Sequence, residues 1–202
     1  MSIAGARRSA ARLAGSLRRR SPAGLTMRRL TAHLAAAVRD RPRPPADARE
    51  LCRALCATMG ALRGGRPVQL RFERFPDELA VTGLWVEFHD FDLVIVEERA
   101  EGVQQLVILG HELWHMHAGH RHHPGAGAAA SRLLAEEPDL RETALAVAAR
   151  DGSRERDEAD ADAFGHLLAT AFRHRLSRST DRPLDPVQRS LGHRGRRAGG
   201  PR

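Results

Sequence analysis

The sequence predicts an α+β fold in which a small, mostly antiparallel sheet of three strands packs against several helices. Three short segments have the alternating apolar and polar side chains of half-buried strands: residues 68–72, 81–88 and 91–96. Only His89 and Asp90 separate the last two segments, which predicts a tight hairpin and an antiparallel pair. On either side of the strands, apolar residues recur at the three- and four-residue spacing of amphipathic helices. The 202 residues suffice for one domain with a substantial core.

The helices follow from this periodicity and from their start and stop signals. Asp47 and Glu50 have the spacing of a capping box, which predicts the start of a helix. Gly119 is predicted to end the central helix, and Ser153 to cap the last one. Helices are predicted over residues 27–38, 47–62, 102–118 and 153–176, with two short ones between 131 and 150.

Composition sets both ends of the chain apart from its body. Residues 1–26 are rich in Arg, Ser, Ala and Gly and contain no acid, and residues 178–202 are rich in Pro, Gly and Arg. Neither segment has the apolar residues needed to join a core, so both are predicted to be disordered. The folded domain is therefore predicted to cover residues 27–177. The sequence leaves open whether translation starts at Met1 or at Met27.

The charge distribution disfavours a nucleic-acid-binding surface on this domain. The formal net charge is +8, yet residues 1–30 contribute +8 and residues 178–202 contribute +5, whereas residues 31–177 carry 18 arginines against 23 acidic residues. The basic ends would attract polyanions without sequence preference, so sequence-specific nucleic-acid binding is not expected. No membrane association is expected either, because no apolar run approaches the roughly 18 residues of a membrane span.

The segment His111-Glu112-Leu113-Trp114-His115 has the residue types and spacing of a catalytic metal site. Histidines four residues apart on a helix lie about 40° apart around the axis and one turn along it, so both imidazoles can reach one metal ion. Glu112 projects beside the open position of that metal, where it can act as general base. Zinc lowers the pKa of a bound water towards about 7. We therefore predict a zinc site, with manganese as the alternative metal, and a catalytic Glu112.

Such a site needs a third protein ligand, and residues 157–168 offer one. Glu158 and Asp162 are four apart on one helical face: the first is predicted to bind the metal, and the second to accept the free ring N–H of a ligand histidine. The third ligand of a metzincin is excluded, because Ala118 and Arg121 stand where that class has Gly and His. The alternative is an acidic run that merely suits the start of a helix.

These two motifs together resemble the ImmA/IrrE-type metallopeptidases, namely His111 to His115 followed by Glu158-x-x-Ala161-Asp162-x-Phe164. The resemblance covers about residues 47–170. It implies a zincin-like helical domain and a cytoplasmic bacterial endopeptidase whose protein substrate is a helix-turn-helix transcriptional repressor. Related proteins occur in toxin–antitoxin-like gene pairs. The chain departs from the family pattern at Trp114, where Gly is preferred, and at Gly165, where Ala is usual.

Two further histidines are candidates for contacting the substrate or stabilising the transition state. The chain contains no tyrosine, so a histidine or an arginine must supply any such hydrogen bond. His120 and His166 are the candidates on sequence grounds. The alternative is that both are surface residues.

Two other functions remain open from the sequence. A non-catalytic regulator, or a toxin–antitoxin-like component, would keep the metal as a structural element and act by binding a protein. A DNA-associated protein would act through the arginine-rich ends, which the acidic body disfavours. Because a structural metal site needs no base beside the metal, Glu112 favours the enzyme over the regulator.

Overall fold

The computed structural model describes residues 21–79, 81–120, 126–141, 144 and 155–179. The predicted α+β class and the three predicted strands are confirmed. No helix in these ranges is long and apolar enough to cross a membrane. The elements with defined bounds are α1 Pro22–Arg39, α2 Ala48–Leu62, β1 Val68–Glu73, β2 Gly83–Glu87, β3 Asp92–Glu97, α3 Gly102–Ala118, α4 Ala126–Leu133 and α5 Glu155–Ser179.

Helix α1 begins before the predicted start of the folded domain. The side chain of Ser21 accepts a hydrogen bond from the backbone N–H of Gly24 at 3.0 Å, and Pro22 occupies the first turn. A capping serine followed by proline favours a helix start whatever the composition around it. Residues 22–26, assigned to the disordered segment by composition, are therefore helical. Residues 1–20, the predicted Ser153 cap and the tail from residue 180 lie outside the described residues.

The sheet is mixed, so the prediction of a mostly antiparallel sheet is wrong. The strand order is β1-β3-β2, with β2 antiparallel to β3 across the predicted tight turn and β1 parallel to β3. The physical reason lies just before β1. The Arg66 side chain donates to Asp92 Oδ2 at 3.0 Å and to the carbonyl oxygen of Phe91 at 3.1 Å. These bonds hold the starts of β1 and β3 side by side, which makes the two strands parallel.

The central strand β3 is buried along its whole length and has apolar side chains on both faces. Leu93 and Ile95 belong to a smaller cluster that includes alanines of α4. Val94 and Val96 belong to the main core, which α1, α2, α3 and α5 complete. The sheet is therefore covered on both sides, and α3 lies against the face that carries Val94 and Val96.

Helices α3 and α5 pack against each other more extensively than any other pair of elements. Glycines stand where the two helices cross. A Cβ on Gly165 would lie 2.4 Å from the carbonyl oxygen of Val107, and one on Gly110 would lie 2.8 Å from Cα of Gly165. The two backbones therefore touch, which a larger side chain at either position would prevent. This contact sets the distance between the two helices that carry the candidate ligands.

Candidate metal centre

The second half of α3 presents the histidine and glutamate side chains of the first motif. His115 is 3% exposed and Glu112 is 8% exposed, which is unusual for polar groups unless they have a partner or a role. The helix ends at Gly119, whose φ of 65° is a left-handed conformation that glycine adopts readily. The predicted end of this helix is therefore confirmed.

Three candidate ligands meet where α3 faces α5. The Nε2 atoms of His111 and His115 are 3.0 Å apart. Glu158 Oε2 lies 3.3 Å from His111 Nε2, and Glu158 Oε1 lies 3.6 Å from His115 Nε2. The tertiary structure thus brings Glu158 to two histidines that lie more than forty residues earlier in the sequence.

The spacing of these donor atoms fits a metal ion. Zinc bound tetrahedrally at about 2.0–2.2 Å from each ligand holds its donor atoms about 3.3–3.6 Å apart. The distances of 3.3 and 3.6 Å from the two Glu158 oxygens fall in that range, and the 3.0 Å between the two Nε2 atoms lies slightly below it. One ligand atom from each of the three residues lies within 4.8 Å of the other two. Two imidazoles and one carboxylate are also a donor set that zinc accepts in catalytic sites. The predicted set of His111, His115 and Glu158 therefore forms a candidate metal centre.

Asp162 occupies the place predicted for it, behind a ligand histidine. Its Oδ1 lies 2.9 Å from His111 Nδ1, one turn of α5 after Glu158. Because Nε2 of the same ring points to the ligand cluster, Asp162 selects the tautomer that carries its proton on Nδ1. This contact leaves the Nε2 lone pair available to a metal.

In the metal-free protein the imidazole of His111 is protonated near neutral pH and carries a positive charge. Burial by itself lowers the pKa of His111, but the hydrogen bond to Glu158, the charge of Glu112 and the hydrogen bond to Asp162 outweigh burial and raise the pKa to about 9. A metal ion must therefore displace a proton from this ring when it binds near neutral pH. The electrostatic field at the cluster favours a positive charge.

Glu112 lies beside the three candidate ligands, and its side chain lines a cavity of about 190 Å³. His111 and Asp162 line the same cavity, together with residues 81–83 at the start of β2 and with Gln104, Val107 and Ile108 of α3. A Cβ on Gly83 would lie 2.5 Å from Glu112 Oε1, so the carboxylate sits directly against the backbone of β2. The absence of a side chain at Gly83 is thus a condition for the position of Glu112, and periodicity alone did not indicate it.

The structure assigns the two candidate substrate-contacting histidines to other surroundings. His120 lies behind His115, with the two Nδ1 atoms 3.3 Å apart, and neither His120 nor His166 lines the cavity described above. Burial lowers the pKa of His120, and the opposing charge of Asp157 does not offset it. His166 is exposed on α5. Contact of His120 or His166 with a substrate therefore stays a prediction; the turn at the end of α3 places the ring of His120 against that of His115.

Trp114, where the resembling family has Gly, packs into the core and does not narrow the cavity. It is 3% exposed and its ring lies 5.2 Å from that of Phe164, centroid to centroid. It also contacts the rings of His117 and His120. The indole therefore packs against Phe164 of α5 in the core, and Trp114 is not among the residues that line the cavity.

Comparison with protein-family models, with curated proteins and with solved structures gives no match. The resemblance to ImmA/IrrE-type peptidases therefore remains a hypothesis that depends on the motif residues and on the geometry they adopt.

Proposed function

We propose that this chain is a zinc-dependent endopeptidase of the ImmA/IrrE type whose substrate is a helix-turn-helix transcriptional repressor. The observation that carries the proposal is the position of Glu112, which lines the same cavity as the ligand His111. Structural zinc sites are closed by four protein ligands, whereas catalytic sites have three and leave one position open. A cluster of three donors with a carboxylate beside it matches the second arrangement.

Each residue has a role in hydrolysis that its contacts support. A zinc ion held by His111, His115 and Glu158 would supply Lewis acidity, which lowers the pKa of water and polarises a carbonyl. Glu112 would accept the proton of the attacking water and pass it to the leaving amine. Its burial against Gly83 holds the carboxylate in one place, so little reorganisation is needed during the reaction.

The cavity borders a strand, which supports an extended peptide as substrate. Residues 81–83 form one wall, and β2 is one of the two edge strands in the order β1-β3-β2 of the described sheet. An outer strand can accept an extended peptide through main-chain hydrogen bonds. Val81, Val107 and Ile108 add an apolar lining that can receive a side chain next to the scissile bond.

One observation favours a second function, a non-catalytic regulator that binds a protein partner through this domain. Neither of the two histidines considered for transition-state stabilisation, His120 and His166, lines the cavity. A regulator would keep the metal site for its structure and would have no need of that hydrogen bond. Glu112 is the residue that separates the two functions.

The experiment compares the wild type with Glu112→Gln. Both proteins should bind about one zinc per chain, because glutamine leaves the three ligands in place. Cells of the source organism that lack the gene are complemented with either form, and newly created protein N termini are identified by mass spectrometry. We expect cleavage products of a helix-turn-helix repressor with the wild type alone. Equal sets of N termini in the two strains, with zinc bound in both proteins, would favour the regulator.

A further inference from the structure

The end of α3 is shaped so that His120 returns to the ligand helix. Gly119 adopts φ 65°, and the backbone N–H groups of Gly119 and His120 both donate to the carbonyl oxygen of His115. This pattern reverses the chain direction within two residues. As a result the ring of His120 lies edge-on to the ring of His115, with centroids 5.3 Å apart.

A continuous chain of contacts leads from His115 through His120 to α5. His120 Nδ1 is 3.3 Å from His115 Nδ1, within hydrogen-bonding distance. On the other side of the same ring, His120 Nε2 is 3.7 Å from Asp157 Oδ1, so the carboxylate lies next to this nitrogen. The side chains of His120 and Asp157 are 17% and 28% exposed, so the chain is largely shielded from solvent.

One assignment of protons satisfies every contact in this chain. If His115 offers its Nε2 lone pair to a metal, its proton must be on Nδ1, where it can be donated to His120 Nδ1. A neutral His120 that accepts at Nδ1 carries its own proton on Nε2, which points towards the carboxylate of Asp157. The opposite assignment would place the proton of His115 on Nε2, which would then have no lone pair to offer to a metal ion.

We propose that His120 and Asp157 are positioning residues that hold His115 in its metal-binding tautomer and orientation, as Asp162 does for His111. The inference rests on the proposed metal centre and deepens it. It also gives α5 three roles at one site: Glu158 supplies a ligand, while Asp157 and Asp162 orient the two histidines. The two ligand histidines thereby receive different partners, a direct carboxylate for His111 and a histidine–carboxylate pair for His115.

The test measures zinc affinity of the full chain by competition with a chromophoric chelator. His120→Ala removes the acceptor from His115 and should weaken zinc binding by roughly 10–100-fold, the usual effect of losing such a partner. His120→Asn places an amide oxygen near the position of the lost Nδ1 and should restore most of the affinity. Asp157→Asn should cause a smaller loss. His117→Ala is the matched control, since His117 is on the same helix but is exposed and faces Trp114, and it should bind zinc as the wild type does.

Nuclear magnetic resonance of the zinc-loaded wild type provides a readout that does not depend on any variant. Imidazole ¹⁵N shifts should show His115 coordinated through Nε2, with a proton on Nδ1 that exchanges slowly with water. Coordination through Nδ1 would overturn the proposal, and so would wild-type affinity in His120→Ala. A wild type that binds no zinc would overturn the metal centre and this inference together, whereas zinc binding that is indifferent to His120 would overturn this inference alone.

Discussion

A single methyl group at the crossing of α3 and α5 should disturb both the fold and the metal centre. In Gly165→Ala the new Cβ would lie 2.4 Å from the carbonyl oxygen of Val107, whereas such contacts in proteins stay above 3.0 Å and become ordinary at 3.4 Å. The neighbouring atom belongs to the helix backbone and cannot rotate away. The two helices must therefore separate by roughly 0.6–1.0 Å, the difference between these distances.

Two energetic effects of this substitution have opposite signs. Alanine is the better helix former and would stabilise an isolated helix by about 1 kcal/mol over glycine. Overpacking against a rigid neighbour costs about 1–3 kcal/mol, and contact with backbone belongs to the upper end of that range. We expect a net loss near 2 kcal/mol, which lowers the Tm of a protein of this size by about 4–8 °C.

The same displacement of α5 also moves the candidate ligand Glu158, because Glu158 lies two turns before Gly165 on that helix. A shift of this size lengthens its contacts with His111 and His115, which now measure 3.3 and 3.6 Å. Zinc affinity should therefore fall by at least about tenfold, as when a supporting contact is lost. Differential scanning fluorimetry of the metal-free protein and chelator competition measure the two effects. A higher Tm with unchanged zinc affinity would refute the steric argument, because helix propensity alone predicts that result.

Three further changes test the site itself. Glu158→Ala should abolish tight zinc binding, whereas Asp162→Ala should weaken it about 10–100-fold, both measured by chelator competition. Gly83→Ala should leave zinc bound but lower hydrolysis, because the new Cβ displaces the carboxylate of Glu112; activity is measured on a substrate found in the complementation experiment. Zinc binding at pH 7.5 should release a proton, since the pKa of His111 is raised to about 9 in the metal-free protein, and apparent affinity should rise about tenfold per pH unit up to that value.

Asp160→Ala is the matched control on α5, and an effect larger than that of Glu158→Ala would contradict the assignment of the third ligand. Folding raises the pKa of His111 from its ordinary 6.5 to about 9. The protonated His111 therefore stabilises the metal-free protein fully below pH 6.5, and this stabilisation is lost as the pH rises through 9. Calorimetric titration in buffers of different ionisation enthalpy measures the proton release. A heat of binding that is independent of the buffer would contradict it.

Local patterns predicted the elements of this chain well because the forces behind them act within a few residues. The capping box is an example: the backbone N–H of Glu50 donates to Asp47 Oδ1 at 2.7 Å, as expected from the spacing. The hairpin between β2 and β3 and the end of α3 at Gly119 are two more. The start of α1 differs from the prediction because the local signal of Ser21 and Pro22 outweighs the composition of the surrounding segment.

The grouping of the candidate ligands was also predictable, since the i, i+4 geometry of a helix places paired side chains on one face. That rule placed His111 with His115 and Glu158 with Asp162, and the structure brings the two pairs together. The position of His120 was not predictable in this way. Its ring is directed by the left-handed turn at Gly119, and the carboxylate that it meets belongs to another helix.

The local elements, their caps and the spacing of the candidate ligands can be read from the chain alone, because each depends on neighbours a few residues away. The parallel pairing of β1 with β3, the contact of Gly165 with the backbone of α3 and the contact of His115 with His120 emerge only in the folded molecule. Each of these depends on the approach of segments far apart in the chain, which periodicity does not encode. The bond between Arg66 and Asp92 holds β1 beside β3, and the glycines at the crossing of α3 and α5 allow the two backbones to touch. The left-handed Gly119 at the end of α3 brings His120 to His115.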